Sequence, residues 1–507
     1  MTLEKVAAFP FLDDSIGDLA PFCQMVLVLV MCFAAAPASH AADAGQPIPV
    51  TPRAESVLTF DFPEMLVGVA EYDEGPTGTT VFYFPDAVKA AVDVRGGSPG
   101  TVNAAALMNG WDRKMMELVV FSGGSWYGLS ATTGAANALK HLEAERSNPN
   151  FIAGAVGAII YDVGGRRMTR ITPDDRLGRV ALENARPGQF PLGPHGAGRF
   201  AMQGVYFTEP LSASNSHRWP HSGQGGAFTQ VGPTKIGVFT VVNSVGAIVD
   251  RNGRVVRCAR NDPDRDCPSI REMLEVRVHD ASEAPAGGPT TNTTLTLVVT
   301  NQKLPIAHLE RLAKQVHGSM SRAIQPFATQ HDGDVLYAVS TDQVDNPDLT
   351  PHDLAMIASE LAWDAVLTSV PELPEQPVPL DVPLPPAELA DFVGDFEFTD
   401  FARVAIREKD GVLVAWYGGI DQIYFDQPEH ALLAADGDRF IIDLPARDVI
   451  RFERTGGEVS SLTLNPGPWA ISARRVPIDA DSRQQNQDTH DSVSQIGEKR
   501  EPGPVYP

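Results

Sequence analysis

Thr293 is the residue of this 507-residue chain whose type and surroundings could most directly do chemistry. It stands where a segment rich in Ala, Gly and Pro, residues 280–288, gives way to Leu295, Leu297 and Val299 in alternation with mostly threonines. That alternation predicts a strand with one face buried. A chain cut before Thr293 would expose a hydroxyl nucleophile whose own α-amine serves as the base. The other interpretation is a polar loop that enters an ordinary core strand.

Ser125 is the second candidate nucleophile. Residues 118–121 predict a strand and residues 129–143 a helix, so the glycine-rich turn that carries Ser125 suits a nucleophile elbow. An elbow needs glycine two positions after the serine, whereas position 127 is tyrosine. Close packing of the helix against the strand explains these glycines better, and a serine hydrolase that uses Ser125 remains the enzymatic alternative.

Composition and charge favour a soluble globular protein. Hydrophobic residues make up 43% of the chain, and its length predicts two or more domains. The formal charge of −24 argues against a surface that binds nucleic acid, since nothing in the sequence concentrates Lys and Arg into a patch that could track a phosphate backbone. The turn at 95–101 has neither the GxGxxG order nor the trailing Lys-Ser/Thr of the turns that bind nucleotide phosphates. We expect no cofactor.

An apolar run at 25–36 predicts export. Its twelve residues are too few to span a bilayer, which takes about twenty. They suit the core of a signal peptide, and Ser39-His40-Ala41 suits its cleavage site. We expect residues 1–41 to be removed, the mature chain to start near Ala42, and the protein to be periplasmic or secreted. Lys5 is the only basic residue before the run, so either the start codon lies later or the leader is unusual.

Removal of that leader would leave two cysteines, Cys258 and Cys267. An even pair in an exported protein indicates a local disulfide, and two free thiols are the alternative. A metal site is not expected, because these cysteines lack histidine partners at zinc spacing.

Strands and helices interleave over residues 60–370, which predicts an α/β domain with layered sheets. The predicted strands are 65–70, 79–84, 90–94, 118–121, 158–163, 238–243 and 335–339, and the predicted helices are 129–143, 306–324 and 354–365.

The C-terminal quarter has a different character. Residues 371–386 contain seven prolines and predict a semi-rigid linker that ends the hydrolase domain, 43–370. Short strands and Gly/Asp turns at 388–476 predict a small, separate β-barrel-like domain. Residues 477–507 are polar and predict a disordered tail.

Four motifs occur together along the chain: DVRGGSPGT at 93–101, SGGSWYGL at 122–129, VNSVG at 242–246, and NTT at 292–294 with TN at 300–301. In this order they resemble the DmpA-type self-processing aminopeptidase family, which includes the nylon-oligomer (6-aminohexanoate) endo-hydrolases. The resemblance covers about residues 60–370. It implies an αββα sandwich whose precursor cleaves itself before a Ser or Thr and whose two fragments stay together.

The resemblance also implies the roles of individual residues. Thr293 would be the nucleophile, and the bond between Asn292 and Thr293 would be the cleavage site. Asp332 and Asp334, about forty positions later, match a pair of acidic residues in the nylon-hydrolase branch. Taken singly, these aspartates have the ordinary interpretation of turn residues.

Two further matches concern the oxyanion. Asn243 matches the Asn that binds the oxyanion, and Tyr161 matches the Tyr beside it. Without the resemblance, Asn243 would be a strand-end cap. Val205 is a departure, because the nylon-hydrolase branch commonly has Lys there.

The sequence therefore predicts an exported, self-processing N-terminal threonine hydrolase. Its substrates would be peptides or small amides with a free amine on the acyl side, including β-peptides or 6-aminohexanoate oligomers. Its partners would be its own second fragment and further copies of itself, with no nucleic acid and no membrane span. The alternative outside enzymes is a non-catalytic envelope protein that binds peptides.

Overall fold

The computed structural model describes residues 46–166, 168–205, 221–258, 266–279, 292–381, 384–419, 429–443 and 448–477. The predicted leader, the segment 280–288 before Thr293, and the tail from residue 478 lie outside the described residues.

The described helices are α1 (Ala104–Leu107), α2 (Ser130–Glu145), α3 (Asp175–Glu183), α4 (Ile270–His279), α5 (Ile306–Ser319), α6 (Pro351–Thr368) and α7 (Pro386–Leu389). The strands before the proline-rich segment are β1 (Pro49–Val50), β2 (Val57–Thr59), β3 (Leu66–Tyr72), β4 (Thr77–Val94), β5 (Thr101–Val102), β6 (Met116–Ser122), β7 (Ala155–Ile159), β8 (Arg186–Pro187), β9 (Gln189–Pro191), β10 (Gln224–Val231), β11 (Thr234–Asn243), β12 (Ala247–Ile248), β13 (Thr293–Gln302), β14 (Ile324–Gln325) and β15 (Val335–Val344). The strands after it are β16 (Gly394–Thr399), β17 (Ala402–Lys409), β18 (Val412–Gly419), β19 (Glu429–Ala434), β20 (Arg439–Ile442), β21 (Val449–Thr455), β22 (Glu458–Leu464) and β23 (Ile471–Val476).

Strand β4 joins two sheets. Its first half pairs with β3 and β6, and its second half pairs with β15, which continues through β13 and β11 to β10. The predicted strands at 79–84 and 90–94 are therefore one strand, and the prediction of two was wrong. Ala87 has a φ of 48° and the register against β6 shifts after Tyr83, so the strand bends between its two partners without ending.

The two sheets pack face to face with helices on both outer sides. One apolar cluster lies between the sheets and includes Phe82, Phe121 and Phe239. A second cluster joins the β13 sheet to α5 and α6, and a third joins the β6 sheet to α2 and α3. This layering confirms the predicted αββα sandwich.

Strand β13 is buried on both faces, whereas its alternation predicted one buried face. Leu295, Leu297 and Val299 belong to the cluster between the sheets, and Val298 belongs to the cluster under α5 and α6. Threonine hydroxyls on the second face can hydrogen-bond within the core. Thr240 on β11, for example, bonds the Thr296 hydroxyl at 3.0 Å.

Two further boundaries differ from the sequence prediction. The strand predicted at 158–163 ends at Ile159, and a 3-10 turn follows at Val163–Arg166, where two glycines weaken the strand. The helix predicted at 306–324 ends at Ser319 and continues as the 3-10 turn Met320–Arg322, because Gly318 and Ser319 are weak helix formers.

Strands β16 to β23 close into an eight-stranded barrel, which confirms the predicted small C-terminal β-domain. Its interior is filled by apolar side chains such as Phe396, Phe440 and Phe452. Among the described residues, no helix is both long and apolar enough to cross a membrane.

Candidate active site

Three strand ends meet at Thr293. Strand β11 runs antiparallel to β13 and ends at Asn243, directly opposite Thr293, the first residue of β13. Strand β15 runs parallel to β13, and a backbone bridge joins Asn292 to Asp332 just before both strands begin. The end of one strand and the starts of two others therefore lie at one edge of the sheet, which brings these side chains together.

The peptide bond between Asn292 and Thr293 lies inside this site. The Thr293 hydroxyl donates to the carbonyl oxygen of Asn292 at 2.6 Å, and the Gly333 N–H donates to the same oxygen at 2.7 Å. A Cβ atom at position 333 would lie 2.5 Å from the Thr293 Oγ1. Glycine at 333 therefore lets the backbone approach the hydroxyl and polarise the carbonyl.

Each aspartate of the predicted pair accepts hydrogen bonds from the backbone. Asp332 Oδ1 accepts from the Val245 N–H at 3.1 Å, and its Oδ2 accepts from the Thr329 hydroxyl at 2.8 Å. Asp334 Oδ1 accepts from the Thr294 N–H at 2.6 Å. Both aspartates are buried, so the site contains two carboxyl groups removed from solvent.

Burial raises the pKa of Asp334 well above the ordinary carboxyl value, and the charge of Asp332 raises this pKa further. Burial also raises the pKa of Asp332, against the opposing hydrogen bonds from Thr329 and Val245. The two groups behave as one coupled pair that retains a proton above the usual carboxyl range. Such a pair can hold or orient an amine without both members being ionised.

We predict that Asp334→Asn changes how the free energy of unfolding depends on pH. The folded state raises the pKa of Asp334, so it binds a proton that the unfolded chain has already released. The contribution of this group to stability therefore falls as pH rises from the ordinary carboxyl pKa through the raised folded pKa. The variant lacks that proton. The unfolding free energy of the variant minus that of the wild type should therefore rise with pH across this window.

Urea unfolding at a series of pH values measures this difference, in a Thr293→Ala background so that one uncut chain unfolds. Asp250→Asn is the matched control, because backbone hydrogen bonds from Arg254 and Asn252 lower the pKa of Asp250. For Asp250→Asn, the unfolding free energy of the variant minus that of the wild type should instead fall as pH rises through the ordinary carboxyl range. A flat difference for Asp334→Asn would contradict the raised pKa.

The amide of Asn243 is held at both ends. Its Oδ1 accepts from the Met202 N–H at 2.9 Å, and its Nδ2 donates to the Tyr161 carbonyl at 3.0 Å. An amide nitrogen carries two hydrogens, so one N–H of Nδ2 is used and the other can serve the site. Tyr161 reaches Asn243 through its backbone, and a role for its phenol stays a prediction.

Three supports of this site have a role that the sequence did not predict. Gly333 contacts the peptide bond between Asn292 and Thr293, Thr329 bonds Asp332, and the turn at 95–98 holds the aspartate loop through Ser98 N–H to Asp332 O at 2.8 Å. The signal for the turn was its glycines. A Cβ on Gly96 would collide with the backbone of the aspartate loop, so these glycines permit close approach between two loops.

The remaining sequence candidates have these environments. Val205 is buried in an apolar cluster with Met202 and Val245. Ser125 has a φ of 55°, but within the described ranges no histidine or carboxylate hydrogen-bonds to its hydroxyl. Cys258 and Cys267 form a disulfide, the first of the two alternatives. No group of three or more potential metal ligands occurs in the described part of the chain.

Residues 58–378 match peptidase family S58, the DmpA family. The chain belongs to this family. The family resemblance expected from the four motifs is thereby confirmed, and the S58 chain is a hydrolase of amide bonds. The barrel begins at Gly394, beyond the matched region.

Two relatives of the S58 chain are 6-aminohexanoate-oligomer endohydrolases. The protein from Paenarthrobacter ureafaciens is 39% identical over 336 residues, which cover 64% of this chain and 89% of that protein. The protein from an Agromyces strain is 39% identical over 338 residues with the same coverage.

Solved structures of two aminopeptidases are also similar. The β-aminopeptidase from a Burkholderia species aligns with a TM-score of 0.44 at 16% identity, over 64% of this chain and 88% of that one. The L-aminopeptidase D-Ala-esterase/amidase from Ochrobactrum anthropi aligns with a TM-score of 0.43 at 16% identity, over 63% and 88%.

Proposed function

We propose that this S58 chain is an exported hydrolase that cuts itself between Asn292 and Thr293 and then uses Thr293 as an N-terminal nucleophile on amide substrates. One observation carries the proposal. The Thr293 hydroxyl lies 2.6 Å from the carbonyl oxygen of the bond to be cut, in a site that also contains Asn243 and the aspartate pair.

Self-cleavage would begin with attack of the Thr293 hydroxyl on the carbonyl carbon of Asn292. The negative charge then develops on the carbonyl oxygen, to which the Gly333 N–H already donates at 2.7 Å. Breakage of the C–N bond transfers the acyl group to Thr293 Oγ1 as an ester, and the departing nitrogen takes up the proton that the hydroxyl loses, which frees the α-amine. Water then hydrolyses the ester, leaving a carboxylate on Asn292 and a free Thr293.

In turnover, the freed α-amine takes the proton of the Thr293 hydroxyl as the oxygen attacks the substrate carbonyl. An α-amine has an ordinary pKa of about 8, so a useful fraction is neutral near pH 7. The second N–H of Asn243 Nδ2 is available to the substrate oxyanion. Asp332 and Asp334, which flank the start of β13, would orient the ammonium form.

The substrate class we propose is linear amides with a free amine on the acyl side, with 6-aminohexanoate oligomers as the first choice. The name of the two relatives at 39% identity supports this choice. The net charge of −24 would attract an amine-bearing substrate.

Export is part of the proposal. The apolar run at 25–36 and the small residues before Ala42 support it. The disulfide between Cys258 and Cys267 also supports it, because disulfides persist in oxidising compartments. Assembly of several copies stays a prediction.

The test is purification of the full chain from a host that secretes it, followed by a denaturing gel and N-terminal sequencing of each band. We expect two bands that co-purify, residues 42–292 and 293–507, with the second beginning at Thr293. The strand that starts there pairs with β11 of the first fragment over eight residue pairs, which holds the fragments together.

The purified protein is then assayed on linear 6-aminohexanoate oligomers and on p-nitroanilides of α- and β-amino acids. Release of 6-aminohexanoate units supports the substrate proposal, and activity confined to α-aminoacyl anilides would redirect it to ordinary peptides. A single uncut and inactive band would refute the self-processing mechanism.

A further inference from the structure

We propose that the C-terminal barrel positions the Asn243 amide, by bracing the two backbone segments that hold it. The inference rests on the proposed function of Asn243 as the oxyanion donor. It assigns a role to a domain that lies outside the S58 match, and it names Trp469 and Met168 as positioning residues.

The first brace lies beside Met202, whose N–H donates to Asn243 Oδ1. Trp469 follows β22 of the barrel and stacks on His221, with ring centroids 4.0 Å apart and planes 9° from parallel. His221 in turn forms a backbone bridge with Met202. Packing of the indole ring against His221 therefore limits the movement of Met202, the residue whose N–H holds Asn243.

A polar contact reinforces this brace. Arg199, three residues before Met202, donates from its Nε to the carbonyl oxygen of Pro468 at 2.7 Å. Its guanidinium also pairs with the buried carboxylate of Glu71 and with Asp73. The segment before Met202 is thus fixed to the barrel on one side and to strand β3 on the other.

The second brace lies beyond Tyr161, whose carbonyl accepts from Asn243 Nδ2. Met168 inserts into the apolar core of the barrel and is 1% exposed. Arg170 lies over the ring of Phe401 at 4.2 Å and pairs with Asp400 at 3.6 Å. The turn after Tyr161 is therefore fixed to a different part of the barrel.

A buried ion pair links this second contact to Tyr161. Arg166 and Asp162 are each 1% exposed and lie 3.0 Å apart. Asp162 also accepts from the Gly124 N–H at 2.8 Å and from the Thr77 hydroxyl at 2.8 Å. Displacement of the turn would disturb this network, which begins one residue after the carbonyl that holds Asn243.

The two braces converge on one side chain. The Asn243 amide has two backbone partners, and each belongs to a segment that the barrel contacts. An oxyanion donor is effective only when it is held in place, and a displacement of about 1 Å can lower a rate by about 100-fold.

The test compares Trp469→Ala, Trp469→Phe and Val412→Ala in the full chain. Val412 lies at the start of β18, is 41% exposed and serves as the control in the same barrel. Hydrogen exchange of the segments 161–166 and 199–205 reports on the braces without a substrate. The kcat, calculated per molecule with a free Thr293 terminus, and the KM report on the position of the Asn243 amide.

We expect Trp469→Ala to speed exchange at 199–205 and to lower kcat by about tenfold, with KM within about twofold, because a misplaced donor harms the transition state more than binding. Trp469→Phe keeps an aromatic ring and should retain most of the activity, and Val412→Ala should match the wild type. Normal exchange, or a normal kcat despite faster exchange, would overturn the inference.

If Trp469→Ala does not fold, Arg170→Ala tests the second brace, since this side chain is 70% exposed and its loss should speed exchange at 161–166. A wild-type protein without amide-hydrolase activity would refute the proposed function, and exchange alone would then decide whether the barrel braces the two segments.

Discussion

Thr293→Ala should leave the chain as one uncut polypeptide that does not hydrolyse amides. The substitution removes the hydroxyl that lies 2.6 Å from the Asn292 carbonyl oxygen. The peptide bond between residues 292 and 293 therefore loses its nucleophile, and the α-amine is never released. Loss of both nucleophile and base should lower kcat by a factor on the order of 10⁶, the scale found when a serine protease loses its nucleophile.

Thr294→Ala is the matched control. Thr294 is the next residue of β13 and is equally buried, but its backbone N–H donates to Asp334 at 2.6 Å, and alanine keeps that N–H. This variant should still be cut and should remain active. A denaturing gel and N-terminal sequencing check both variants. Cleavage of Thr293→Ala at the wild-type rate would refute the assignment of the nucleophile.

Asn243→Ala should lower kcat by about 10² to 10³, the range found when one oxyanion donor is removed. Self-cleavage should be slowed less, because the carbonyl of Asn292 already has the Gly333 N–H as a donor at 2.7 Å. The expected result is thus a protein that matures slowly and turns over substrate poorly. A time course of band separation and steady-state kinetics on the matured fraction measure the two effects.

Asn301→Ala is the control for loss of a buried asparagine. Asn301 lies near the other end of β13, and its amide is also held by the backbone, with Oδ1 accepting from the Lys235 N–H and Nδ2 donating to the Pro233 carbonyl. Both variants should lose stability by about 1 to 3 kcal/mol, since each leaves backbone groups unpaired. Only Asn243→Ala should lose kcat. Equal losses of kcat would show that Asn243 acts through stability alone.

The local pattern around Thr293 was enough to predict where β13 begins. The alternation of Leu295, Leu297 and Val299 depends only on the two-residue period of a strand, which is fixed by the backbone. The four motifs in order then indicated the family, and the resemblance implied the roles of Thr293, Asn243 and the two aspartates. These features are encoded within a few consecutive residues each, so the sequence contains them directly.

Tertiary structure decided what surrounds each of those residues. Burial of both faces of β13 depends on α5 and on the second sheet. The raised pKa of Asp334 depends on the loss of solvent around it and then on the charge of Asp332. Neither effect has a period or a motif, because each arises from several segments closing over one point.

The hydrogen bonds that hold the Asn243 amide depend on the tertiary fold in the same way. Its two partners, the Tyr161 carbonyl and the Met202 N–H, are backbone groups that every residue type possesses, so the sequence gives no sign of them. The seating of Trp469 on His221 joins residues more than two hundred positions apart. Local sequence indicated which side chains could do the chemistry we propose, and long-range packing determined how they are held, because a hydrogen bond or a ring contact depends on position in space and not on order along the chain.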